Sequence, residues 1–357
     1  MSTDAALSAA AAAPAKAPLS GSGYIIGPIA DRSLLIFSPL IALAIGAVIS
    51  GMRLSQQEVT FLGQEATVAH IFIGSFIMAH LFIVFFRSHG NQAIFKLYPR
   101  RFTVVPVVLF LSMTVSDWAA VSVAVIATWW DVYHSAMQTF GIGRIYDMKA
   151  GNSATLGRRL DMIVNVLFYA GPIMAGATLM LHIEDFDEFE KVGSLFFTAI
   201  PAYTMGHQAF ITWAVVALGT PFLVYYVYFY WRAHAQGYTV SYQKVALLAS
   251  TGLCSIYTWG FNTFGEAFFI MNFFHALQYF ALVWWSEKKH MQSFFGLSKI
   301  SWGRPATFVL FIAVAFAYGI WAETADTSSD LAFNLIMVVS IMHFWYDGFI
   351  WSVRKKQ

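Results

Sequence analysis

Charge is what this sequence lacks most. Asp, Glu, Lys and Arg together make up 11% of its 357 residues, against about 25% in a soluble globular domain. So few charges cannot cover a surface that faces water, and the mean hydropathy of +0.62 agrees. Soluble, disordered and fibrous classes are excluded together. Cysteine is nearly missing too. Cys254 alone permits no internal disulfide and no cysteine metal cage, which also removes the disulfide-rich secreted class. There is no GxxxxGK[ST], no GxGxxG behind a strand, no CxxCH and no HExxH. Signals for nucleotide binding, covalent haem and a zincin-type protease are therefore absent. No internal repeat and no soluble domain is visible, and nothing calls for a nucleic-acid partner.

What remains is apolar: 58% of the residues are hydrophobic and 17% aromatic. A membrane span needs roughly 20 mostly apolar residues. Such windows lie near 34–51, 66–87, 102–116, 118–143, 160–181, 205–231, 243–261, 264–286, 304–322 and 331–352. The pattern predicts an all-α, polytopic transmembrane helical bundle of about ten spans, embedded in a lipid bilayer. With the N-terminus in the cytoplasm and every window spanning, all of the 21 Lys and Arg except Arg53 and Lys191 fall on the inner side. The acidic run Glu184, Asp185, Asp187, Glu188, Glu190 falls outside. This split is the positive-inside pattern, and it predicts that both termini are cytoplasmic, in a bacterial inner (cytoplasmic) membrane. Residues 1–33 include the tract AALSAAAAAPAKAPLSGSG and read as a disordered cytoplasmic tail. Residues 34–353 read as a single transmembrane domain.

Ionisable side chains inside spans are costly and mark function. Helices over 66–87, 118–143, 264–286 and 331–352 all run from outside to inside, and they carry His80, His134, His275 and His343. Each histidine stands 6–11 residues from the inner end of its helix, about 9–17 Å below the surface at 1.5 Å per residue. Neutral imidazole is the commonest metal ligand, and helix bundles build metal sites from side chains on facing helices. Polar company shares the faces of three of them, because positions three and four apart are neighbours. Asp131 and Gln138 flank His134, Asn272 and Gln278 flank His275, and Asp347 follows His343 by four. Such groups fix a ligand's tautomer or join the ligand set themselves. His80 has only Phe76 and Val84 at these spacings and is the weakest of the four. His89, past the end of its helix, is a further candidate that would have to turn back beneath the bundle. The competing structural reading is that each buried histidine is a hydrogen-bonded tie between helices.

Histidine and carboxylate without cysteine suit iron, copper or zinc, and a mixed nitrogen–oxygen shell with open positions is typical of non-haem iron oxygenases. A site among apolar helices meets hydrophobic molecules first. The expected activity is a metal-dependent, oxygenase-type oxidation of a hydrophobic lipid or isoprenoid-like substrate, with an electron donor or partner membrane subunit alongside. In its polytopic architecture, and in histidines dispersed over several helices, the chain resembles the Brp/Blh family of bacterial carotenoid-cleaving dioxygenases. That resemblance implies non-haem iron held by four histidines and β-carotene-like substrates. It covers architecture and the style of the His-bearing helices, with no motif aligned residue by residue. Two other readings stay open: a proton-coupled transporter or channel using Asp131, His134, His343 and Asp347, and a haem-binding or structural subunit of a membrane complex.

Overall fold

A computed structural model describes residues 23–50, 52, 53, 55, 57–261 and 267–351. It is 81% helical with almost no strand, so the chain is all-α. The main helices are α1 (Ser38–Ser50), α2 (Val68–Ser88), α3 (Gln92–Leu97), α4 (Pro99–Val115), α5 (Asp117–Lys149), α6 (Arg158–Ala175), α7 (Gln208–Ala235), α8 (Tyr242–Ser255), α9 (Ala267–Phe294), α10 (Gly303–Thr324) and α11 (Asp330–Ile350). A hairpin absent from the sequence reading precedes α2. Its strands Glu58–Phe61 and Gln64–Thr67 pair antiparallel with Glu58 opposite Thr67. Leu62 and Gly63 turn it with positive φ of 50° and 87°, the backbone signature of a two-residue hairpin turn.

Five helices are long and apolar enough to cross a membrane: α2, α7, α9, α10 and α11. The number rises to seven if two bent pairs, Pro28–Ile36 with Ser38–Ser50 and Arg158–Ala175 with Leu179–Val192, each count as one span. This is an integral membrane protein. The expected windows 102–116, 118–143 and 243–261 are helical but fall short of that standard among the described residues. α4 has only 17 residues, and Asp131, His134 and Gln138 dilute the apolar run of α5.

The segment expected as a tail lies mostly outside the described residues, but its end, from Gly23 to Ser33, is folded. Asp31 is fully buried. Its carboxylate accepts from the backbone N–H of Ile25, Ile26 and Gly27 and from the Tyr146 hydroxyl at 2.8 Å.

The described residues divide into two compact units. The first gathers those of 1–43, 132–182 and 201–267. In it α6 packs against α7 and α8. α6 breaks at Gly176, where a Cβ would stand 2.4 Å from the Gly260 Cα. The freed N–H groups of Ala177 and Thr178 donate to the carbonyls of Gly260 and Trp259 at 3.0 and 3.3 Å. One end of this unit holds a buried ionic knot. Lys244 Nζ donates to Asp147 and Asp161 at 2.8 Å each, and Arg144 bonds the same two carboxylates. Tyr226 and Tyr230 donate to Asp161, and Tyr238 to Asp147. Two cations facing two anions leave the knot neutral, which is how buried charge is tolerated. Burial and the neighbouring Asp147 raise the Tyr238 phenol above its ordinary pKa, so it stays a donor.

The second unit gathers 44–131, 183–200 and 268–357. α2 lies along α10 through small residues. A Cβ at Gly319 would fall 2.1 Å from the Ser75 carbonyl oxygen and 2.9 Å from the Ala79 Cβ. Ser75 and Ala79 on α2 thus face Ala315 and Gly319 on α10, each pair four apart, the small-residue spacing that lets membrane helices touch. Near the start of α2, His70 Nε2 meets Glu323 on α10 at 2.9 Å. α11 packs on α2 and α4, and aromatic rings join α9 to its neighbours, with Phe76–Phe280 at 5.1 Å and Phe280–Phe311 at 5.7 Å.

Candidate metal centre

His80, His275 and His343 come together inside the second unit, one from each of α2, α9 and α11. Their exposures are 1%, 0% and 0%. His80 follows Ala79, so the side of α2 that α10 covers is set one residue, about 100°, away from it. Its imidazole then points toward α9 and α11. The His80 ring stands edge-to-face on both partners, with centroids 5.2 Å from His275 and 5.0 Å from His343. One ring nitrogen from each lies within 4.8 Å of the others. Imidazole nitrogens around one ion, at about 2.0–2.1 Å from it, stand roughly 3–3.5 Å apart. Closing that gap takes side-chain movements of about an ångström.

His80 carries the clearest ligand chemistry. Its Nδ1 donates to the Ile77 carbonyl oxygen, which fixes the proton on that nitrogen and leaves the Nε2 lone pair available. Nε2 is buried and has no hydrogen-bond partner among the described residues. The residue that sequence spacing ranks last is therefore central. Its orienting group is a backbone oxygen at i−3, and a tally of polar side chains cannot see one.

Asp347 does share a face with His343, and a carboxylate oxygen and ring nitrogen of the two lie within 4.8 Å. Its Oδ1 also accepts from Tyr279 Oη at 2.7 Å and Trp351 Nε1 at 3.0 Å. Tyr279, four residues after His275, packs its ring 4.7 Å from His343. Tyr279 is not among the residues expected at the site from sequence, although its four-residue spacing from His275 places it on the same face of α9. Gln278 is fully buried beside it on the chain, and Asn272 is half-buried on α9.

His134 and Gln138 belong to the first unit, the former 5% exposed and the latter half-buried on α5. Asp131, three residues before His134, is half-buried. His89 is excluded from the cluster by its own bonds. Its Nδ1 meets Ser88 Oγ at 2.9 Å and its Nε2 the Phe102 carbonyl oxygen at 3.2 Å, while its ring stacks on Phe85. Burial lowers its pKa against that backbone bond, so the ring is a neutral tie at the helix end. His182, next to the acidic run of 184–190, is 1% exposed, with Nδ1 on the Thr178 carbonyl oxygen at 2.8 Å and its ring 4.8 Å from Trp259.

Beneath the histidines, Arg87 on α2 is 6% exposed and Glu287 on α9 is 1% exposed, and the two form a buried ion pair.

No family model matches this chain, and neither does any curated protein or solved structure.

Proposed function

We propose that the protein is a membrane-embedded, metal-dependent oxidative enzyme whose ion is bound by His80, His275 and His343 and whose substrate is a hydrophobic, lipid- or isoprenoid-like molecule. One observation carries the reading: three buried imidazoles on three helices present nitrogens within 4.8 Å of one another, and His80 keeps Nε2 unpartnered among the described residues. A set of helix ties would satisfy that nitrogen, because a buried polar atom without a partner costs about 1–3 kcal/mol. Three neutral nitrogens without sulfur, beside one carboxylate, suit non-haem iron, with copper and zinc as the other fits. Bound there, such an ion would supply redox or Lewis-acid chemistry, and the chain's own part is to hold it away from water. The Tyr279 ring lies 6.4 Å from His80 and 4.7 Å from His343, and Phe344 lies 5.7 Å from His343, surroundings that favour an apolar substrate.

Haem fits less well. Ring centroids 5.0 and 5.2 Å apart, edge to face, leave no slot for a porphyrin between the imidazoles. The transporter reading draws on a different feature. The break at Gly176, whose following N–H groups bond the carbonyls of Gly260 and Trp259, resembles the discontinuous helices that transporters use for binding, but it lies in the first unit. Ten spans with cytoplasmic termini in a bacterial inner membrane remain part of this proposal, supported by the placement of every Lys and Arg except Arg53 and Lys191. Metal analysis and an optical spectrum of the purified full-length protein separate the readings. Stoichiometric iron, copper or zinc without a Soret band is the expected result. An intense band near ~400 nm would indicate haem, and a metal-free protein would leave the transporter.

A further inference from the structure

Arg87 joins, toward their C-terminal ends, the same three helices that carry the clustered histidines. It lies seven residues beyond His80 on α2, two turns along the same face. Glu287 lies beyond His275 on α9, and Ile350 and Trp351 lie beyond His343 at the end of α11. The guanidinium bonds Glu287 through Nη1, donates from Nη2 to the Ile350 carbonyl oxygen at 3.1 Å, and lies 3.9 Å above the Trp351 ring. Trp351 Nε1 then donates to Asp347 Oδ1 at 3.0 Å. The same oxygen accepts from Tyr279, whose ring rests 4.7 Å from His343. One side chain therefore fixes how far α2, α9 and α11 slide past one another, and it is connected to His343 contact by contact.

A buried ion pair adds little net stability, since desolvating both charges offsets most of their attraction. Arg87 Nε is moreover buried with no partner among the described residues. A clamp that sets register explains why such a costly group is kept here, and apolar packing would not. We infer that Arg87 is a positioning residue of the histidine site, acting through Glu287, Trp351 and Asp347 to hold the three imidazoles in ligating geometry. The inference rests on the metal-binding reading above.

The test uses full-length protein in detergent, stripped of metal and titrated with cobalt(II), whose visible bands report the number and geometry of its ligands. Arg87→Gln is expected to weaken cobalt binding about 10-fold or more, as loss of groups behind the ligands does, and to shift the bands at unchanged helicity. Arg87→Lys is expected to fall between, because it keeps the charge but not the planar fork. Wild-type affinity and bands in Arg87→Gln overturn the inference while leaving the metal site standing. If Arg87→Gln does not fold, Arg87→Lys decides in the same way: shifted bands support the clamp, and wild-type bands and affinity overturn it. A wild-type protein that takes up no cobalt removes the metal reading and the inference together.

Discussion

Asp347 is the carboxylate placed within 4.8 Å of a ring nitrogen of His343, and around three neutral imidazoles it is what would offset an ion's charge. Asparagine at this position keeps an oxygen that accepts from Tyr279 and Trp351, so Asp347→Asn should fold normally. It should nevertheless bind metal about 10–100-fold more weakly, because only the charge has gone. Titrating wild type and variant against a chelator measures this, and equal affinities would remove Asp347 from the site. Spacing on the helix was enough to single out His275, His343 and Asp347, because positions three and four apart always share a face. What spacing could not show was a side chain reaching across from another helix, or a backbone acceptor. Tyr279 reaches Asp347 across the α9–α11 contact, and His80 is oriented by the Ile77 carbonyl oxygen. Neither bond leaves a trace in side-chain periodicity.

Helix contacts decide whether those residues meet. α2 is held on α10 by backbone-to-backbone approach at Gly319, and that contact turns His80 toward α9 and α11. Gly319→Leu would drive its side chain into Ser75 and Ala79. Overpacking of this kind costs about 1–3 kcal/mol, and here it also pushes His80 outward. Lower stability to denaturant together with weakened metal binding is expected. A variant that loses stability but binds metal normally would show that α10 does not set the His80 position. The helical windows were legible, since long apolar runs admit little else in a bilayer. Their quality as spans was not. α5 is helical for 33 residues, but Asp131, His134 and Gln138 make it a poor lipid-facing segment. The breaks at Phe37 and Gly176 turn two apolar windows into bent pairs. The buried knot of Arg144, Asp147, Asp161 and Lys244 was hidden because each charge sits near a helix end, where a solvated side chain is the ordinary expectation.

For the whole molecule, the number of crossings has a consequence at the termini. Ten spans put both termini on one side, whereas five or seven put them on opposite sides. Accessibility tags at the two ends of the chain should both report the cytoplasm, with the Glu184–Val192 segment labelled from outside. A C-terminal tag reached only from outside would reduce the spans to an odd number. The common depth expected for His80, His134, His275 and His343 would then be lost, although the convergence of His80, His275 and His343 in the second unit would not.

The central claim is that His80, His275 and His343 share one ion, and X-ray absorption at the edge of the bound metal tests it most directly. In the full-length protein as purified, the account predicts scattering from three imidazoles at about 2.0–2.2 Å with no sulfur, and from two imidazoles in His80→Ala with any metal it retains. A metal shell that His80→Ala leaves unchanged, or a protein that carries no metal at all, would contradict it.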